Sequence, residues 1–419
     1  MRITVTFILS FILIIFFSSE ANAQGGEKIE KQSIPLVYAQ QDIINSKILN
    51  EDRKVNISLP ENFSESSDQH TYPVLLLLEN EFFQTVSATV KHLSSVERMP
   101  ETIVVSLVDE TITPTVYTNG SDFWPKDWTQ LEGENPEPFT KHLKEELFPY
   151  LKDKYRANDF NIVMGLSWSS IYVLHTFTKK PDLFDAHIAI ASGDILGMGY
   201  NEGESFIDLF VNDLKSSKRK KGYLYITSAD SDGNNYPMIQ ANLEELEQRL
   251  SPFRSDNFHF VSKIFPKEGH YDVTLPGLLE AFSMIFPKDK WSAKYRDIIT
   301  QPGNAMKNLD SYFQGLSSEY GFKILPRAER WNSVNRLSWI GPYLLRENRI
   351  EEAIEVIERW VEYSPKSTLA LSELAKTYEA NSEFTKALAT LEKAKEISTN
   401  LEESKEFFNR INQLKEKIK

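Results

Sequence analysis

Cysteine is absent from all 419 residues. That excludes disulfides, thiolate metal sites and a cysteine nucleophile. It also removes the cysteine needed to anchor a bacterial lipoprotein. Positive charge is in deficit, with 47 Lys and Arg against 60 Asp and Glu, a net charge of −13. A nucleic-acid binder or a polybasic membrane-surface protein needs the opposite balance. Long apolar runs are missing beyond the first residues. Ile3 to Phe17 is almost wholly apolar, about 15 residues against the roughly 20 of a membrane span. No second run follows.

That first run has a different reading. Arg2 supplies a basic start, and Ala21-Asn22-Ala23 supplies a small-x-small cleavage pattern. Residues 1–23 are therefore expected to be a signal peptide cut after Ala23. The mature chain then starts at Gln24 and is periplasmic or secreted. With 41% hydrophobic and 12% aromatic residues, the remainder can bury a full core. Its length suits two or three domains.

Residues 24–40 are polar and irregular. Two strand-like runs follow, Gln41–Asn50 and Lys54–Leu59, with Glu51-Asp52-Arg53 as the expected hairpin connection. An unbroken apolar run follows at Tyr72–Leu78, and further buried-strand candidates lie at Glu101–Val108, Asn161–Met164, Ala186–Ala191, Gly222–Ser228 and Phe258–Phe265. Continuous runs are what strands buried on both faces look like. Helical patterns lie at Ser87–Ser95, Pro138–Lys154, Ile171–Lys179, Glu204–Ser216, Pro237–Leu250 and Pro276–Phe286. Strands alternating with helices predict an α/β domain over 41–287, a mostly parallel sheet between two helical layers. Residues 288–333 read as a helical connector.

Residues 334–419 carry a period of roughly 34 residues. Leu337, Ile340, Gly341, Leu344, Ala353 and Ile357 recur as Leu371, Leu374, Ala375, Tyr378, Ala387 and Leu391. Small residues fall where two helices must approach closely. The pattern resembles two tetratricopeptide repeats, 334–367 and 368–401, with a capping helix. Such an all-α helical-repeat domain implies a protein partner, self-association or a structural extension.

The chemistry centres on Gly165-Leu166-Ser167-Trp168-Ser169-Ser170. A serine nucleophile needs a sharp strand-to-helix turn that lifts Oγ clear of the sheet. Here a strand run ends at Gly165 and a helical run begins at Ile171. The usual pattern is Gly-x-Ser-x-Gly, so Ser169 departs from it. A base and an orienting carboxylate must follow in the order Ser, acid, His, each on a loop after a strand. Of seven histidines, His270 alone follows a strand end on a loop. The acid belongs after Tyr223–Ser228, in Ala229-Asp230-Ser231-Asp232-Gly233. Asp230 is preferred because it lies nearer the strand end, with Asp232 as the alternative. That loop lacks the spacing of a calcium loop, and no metal or other cofactor is implied. Two backbone N–H groups must hold the oxyanion, one from Trp168 and one from Glu81 in the loop after Val74–Leu78. Trp124 and Trp128 lie after the second buried strand, where loops border the ligand crevice.

Residues 41–287 resemble the putative-esterase family of α/β-hydrolases, which includes esterase D, enterochelin and other siderophore esterases, feruloyl esterases and mycolyltransferases. Several stretches carry the resemblance, in order. Ser46–Asn50 with Arg53 and Val55–Pro60 is similar to its opening segment. Tyr72-Pro73-Val74-Leu75 is similar to its Tyr-Pro-Val-Leu strand. Glu79-Asn80-Glu81 stands for Asp-Gly-x, Gly165–Ser170 for Gly-His-Ser-x-Gly-Gly, and Gly269-His270 for its final loop. The resemblance implies an α/β-hydrolase three-layer sandwich. It also implies an exported serine esterase acting through an acyl-enzyme on Ser167, on a small-molecule, glycan or siderophore-type ester. Acyl transfer uses the same intermediate, and an inactive, partner-binding relative is the other class open to this sequence.

Overall fold

A computed structural model describes residues 36–108, 137–200, 203–216, 222–330 and 333–419. Trp124, Trp128 and the expected signal peptide lie outside the described residues. Among those described, no helix is long and apolar enough to cross a membrane. The chain divides into two units, Met1–Tyr38 and Ala39–Lys419; the architecture below is that of the second.

Its strands are β1 (Gln40–Ser46), β2 (Glu51–Ser58), β3 (Tyr72–Leu77), β4 (Ile103–Leu107), β5 (Ala157–Leu166), β6 (Ala186–Ile190), β7 (Gly222–Ala229) and β8 (Phe258–Phe265). They form one sheet in the order β1-β2-β4-β3-β5-β6-β7-β8. β1 pairs antiparallel with β2, and β2 with β4; every other pair is parallel. The buried runs became strands because both faces are covered. Leu75 and Leu77 enter one core while Val74, Leu76 and Leu78 enter the other, as alternation along a strand requires.

Helices α1 (Phe83–Ser95), α2 (Glu137–His142), α3 (Phe148–Tyr155), α4 (Ser170–Lys179), α5 (Phe206–Lys215), α6 (Met238–Leu250) and α7 (Thr274–Ile285) flank the sheet. The stretch expected as one helix over 138–154 is broken by a π-helical turn at Leu143–Leu147. α1 and α7 cover one face, and α2 to α6 cover the other.

The hairpin connection lies earlier than expected. Glu51-Asp52-Arg53 opens β2, and the chain turns at Lys47–Asn50 with Asn50 at φ 56°. Glu146 is the cause. Its carboxylate accepts from Lys47 N at 2.9 Å, Ile48 N at 3.2 Å and Ser46 Oγ at 2.5 Å. Arg53 is buried at 7% exposure and pairs with Glu51 along the strand edge.

After the sheet come α8 (Lys288–Trp291), α9 (Tyr295–Ile299) and α10 (Ala305–Tyr320). Five further helices follow: α11 (Leu337–Arg346), α12 (Ile350–Tyr363), α13 (Thr368–Ala380), α14 (Phe384–Ile397) and α15 (Leu401–Ile418). All twelve residues picked out by the sequence period are buried. Gly341 is where α11 meets α12: a Cβ there would lie 2.2 Å from Ile357 Cγ1. Ile357 is branched and fully buried, so it cannot swing away. Gly341→Ala should destabilise by about 1–3 kcal/mol through overpacking. Thermal unfolding checks this, and an unchanged midpoint would contradict the close approach.

Candidate active site

β5 runs extended to Leu166, at φ −123° and ψ 135°. Ser167 then takes φ +53°, and a 3-10 turn over Ser167–Ser169 leads into α4. A left-handed residue bearing a side chain costs roughly 1–2 kcal/mol. The turn is held by its own atoms. Leu166 N donates to Ser169 Oγ at 2.8 Å, and Ser169 Oγ donates to Leu166 O at 3.1 Å. Ser169 is fully buried. Where the usual glycine would leave a gap, this hydroxyl fills it. Gly165 makes that possible, since a Cβ there would sit 2.8 Å from the backbone and Oγ of Ser169.

β3 neighbours β5, and Leu78 N donates to Met164 O at 3.0 Å. The loop after β3 therefore starts beside the turn. It forms a short 3-10 turn, Asn80–Phe82, leading into α1. Asn80, which replaces a glycine, is not among the left-handed residues. Its Oδ1 instead accepts from Asn56 Nδ2 at 2.7 Å and Ser106 Oγ at 3.0 Å. The loop is thereby tied to β2 and β4. Glu81 is exposed at its middle.

β7 ends in a 3-10 turn, Asp230–Asn234, and β8 leads to the loop holding His270. The structure brings His270 to Asp232, with Nδ1 and Oδ1 2.9 Å apart. It does not bring Asp230 there. Asp230 Oδ2 accepts from Lys267 N at 2.6 Å and so supports the histidine loop from below its start. Asp230, preferred because it lies nearer the strand end, is therefore not the carboxylate that contacts His270; the alternative Asp232 is. Asp232 is 7% exposed and His270 about one-third exposed. The hydrogen bond to Asp232 holds the imidazole above its ordinary pKa, against the opposing effect of burial.

Two carboxyls near the site escaped sequence reasoning. Asp194 follows β6, and burial pushes it up to about 6; it also feels the charges of Asp232 and His270. Its signal was its place after a buried strand, the same signal that selected Asp230. Glu79 ends the strand run before the Asn80 turn. One carboxyl oxygen lies 3.2 Å from Leu166 N. Part of the residue reaches solvent, but burial of the carboxyl pushes it up to about 8.

The described parts are a half-buried serine on a strained turn, an imidazole held by a carboxylate, and a loop after β3 tied to that turn through Glu79. Residues 46–248 match the family model described as "Putative esterase". No curated protein matches the chain. Among solved structures, an IroE-like serine hydrolase from Shewanella oneidensis is similar with TM-score 0.56 and 19% identity, over 76% of this chain and 97% of that one. An uncharacterised protein from Capnocytophaga ochracea DSM 7271 is similar with TM-score 0.52 and 17% identity, over 90% of this chain and 99% of that one. At those identities the likeness is one of fold. The family match takes in the β5 turn with Ser167 and the β7 turn with Asp232. The match of residues 46–248 to an esterase family supports a carboxylic ester hydrolase.

Proposed function

We propose that the protein is an exported serine esterase working through an acyl-enzyme on Ser167. His270 is the base and Asp232 the carboxylate that orients it. The observation that carries this reading is the 2.9 Å contact of His270 Nδ1 with Asp232. It lies on the loops after β8 and β7, in the same sheet whose β5 ends at a serine held at φ +53°.

In this mechanism Ser167 Oγ attacks the ester carbonyl carbon as its proton passes to His270 Nε2. The carbonyl oxygen gains the charge and is met by Trp168 N–H and Glu81 N–H. The C–O bond to the alcohol breaks, and His270 returns the proton to the leaving oxygen. Water, deprotonated by the same imidazole, then releases the acid and frees Ser167. The substrate class is a small-molecule ester of the siderophore, aryl or sugar-linked kind. Support for that class is the resemblance of residues 41–287 to esterases of that group. Residues 334–419 serve as a tetratricopeptide-like extension behind the catalytic domain, and export rests on the Arg2, Ile3–Phe17 and Ala21–Ala23 pattern.

A fluorophosphonate probe should label the purified protein, and Ser167→Ala should remove both the label and turnover of a small aryl acetate. Undiminished hydrolysis by Ser167→Ala would overturn the serine mechanism. Absence of any label on the wild-type protein would favour a partner-binding role.

A further inference from the structure

Leu166, the residue before the nucleophile, has an amide with two acceptors. Ser169 Oγ lies at 2.8 Å and Glu79 Oε2 at 3.2 Å. The Glu79 carboxyl also meets the Ser169 hydroxyl. Glu79 immediately precedes the Asn80–Phe82 turn. One side chain therefore joins the loop after β3 to the base of the β5 turn. On its far side the loop is held by Asn56 and Ser106 through Asn80.

We infer that Glu79 and Ser169 form a positioning lock that sets the loop carrying the Glu81 amide against Ser167. The inference rests on the serine-esterase reading above. Glu79 touches neither substrate nor reacting atoms in this role; it acts through Leu166 and the loop. In this light Ser169 is a working part of the turn.

At neutral pH the lock holds a protonated acid, since burial pushes Glu79 up to about 8. Burial and the nearby Glu81 carboxylate favour the neutral acid and outweigh the contacts with Ser169 and Leu166 N–H, which favour the carboxylate. As a neutral acid Glu79 donates one hydrogen and still accepts from Leu166 N. As a carboxylate it keeps only acceptors and becomes a buried charge beside Glu81, which is costly. Proton loss near pH 8 should then release the loop and misplace one oxyanion donor. Loss of one such donor costs about 10²–10³ in kcat.

The test is a kcat and KM profile against pH for wild type, Glu79→Gln, Glu79→Ala and Ser169→Gly, together with rates of fluorophosphonate labelling. Glu79→Gln keeps a donor and an acceptor and cannot ionise. It should hold kcat within a few fold at neutral pH and lack the fall that wild type shows as pH rises through about 8. Glu79→Ala should lose about 10²-fold in kcat with KM nearly unchanged, and its labelling should slow in parallel. Ser169→Gly should lose less and shift the alkaline limb. Normal kcat in Glu79→Ala, or identical alkaline limbs in wild type and Glu79→Gln, overturns the lock. Failure of the serine-esterase reading looks different, because wild type itself would then not label at Ser167. If Glu79→Ala does not fold, the comparison of wild type with Glu79→Gln decides alone.

Discussion

Asp232→Asn should lower kcat on an aryl acetate by roughly 10³–10⁴-fold, while Asp230→Asn stays within a few fold of wild type. The two carboxylates sit in one short turn, so composition does not separate them. Their partners do. Asp232 Oδ1, 2.9 Å from His270 Nδ1, accepts its N–H and so holds the tautomer whose Nε2 is bare to accept the serine proton. An asparagine there offers an amide hydrogen in place of a lone pair and favours the wrong tautomer. It also removes the negative charge that stabilises the imidazolium. Asp230 accepts a backbone N–H from Lys267, and an asparagine oxygen can keep that bond. A pH profile adds an independent check. His270 works as a base only when neutral, so kcat/KM falls as pH drops through its pKa. Asp232 raises that value, so the acid limb should lie above the ordinary histidine range. In Asp232→Asn the limb should move to lower pH. Equal losses in the two variants would return the acid assignment to Asp230.

That pair also marks how far the sequence could be read. Strands covered on both faces announce themselves, because continuous apolar runs have few other uses; the run Ala186–Ala191 holds the fully buried β6, Ala186–Ile190. The serine turn was legible because a strand run, a small-residue turn and a helix start must be adjacent in the chain. Features set by distant residues were not. Glu51-Asp52-Arg53 has the composition of a turn, yet Glu146, nearly 100 residues away, stabilises the turn at Lys47–Asn50. Asp230 and Asp232 lie in a 3-10 turn, where each residue rotates about a third of a turn. Two residues apart they face different ways, and only the folded loop after β8 decides which meets the histidine. Glu79 was passed over for the same reason, since its partners lie on β5.

Deleting residues 288–419 should abolish folding of the catalytic domain, with loss of all activity, although the family match ends well before that point. The sheet needs its C-terminal helices as a lid. Phe160 on β5 is 3% exposed, and its ring is surrounded by Phe286, Tyr320 and Phe322 at centroid distances of 6.2, 6.1 and 5.3 Å. Tyr320 Oη donates to Ile285 O at 2.8 Å, closing α10 onto the end of α7. Arg327 reaches Glu101 and donates to Ser94 O at 3.1 Å, and Arg330 pairs with Glu97 at 2.6 Å. These arginines satisfy the last carbonyls of α1, the helix that follows the Glu79–Phe82 loop. On the far side Ser67 N donates to Tyr363 O at 2.9 Å, and His70 stands edge-on to Tyr363. One apolar cluster runs without a break from Leu75 through Phe286 and Tyr320 to Leu414. Uncovering even four or five of its large side chains forfeits about 1.5–3 kcal/mol each. That sum reaches the 5–15 kcal/mol that holds a typical domain together. It leaves Glu97 and Glu101 without their arginines as well. The intact chain should accordingly unfold in one calorimetric transition, and the chain ending at Pro287 should be recovered as aggregate. Two separate transitions, or an active soluble fragment ending at Pro287, would show that the helical extension is carried by the esterase without supporting it.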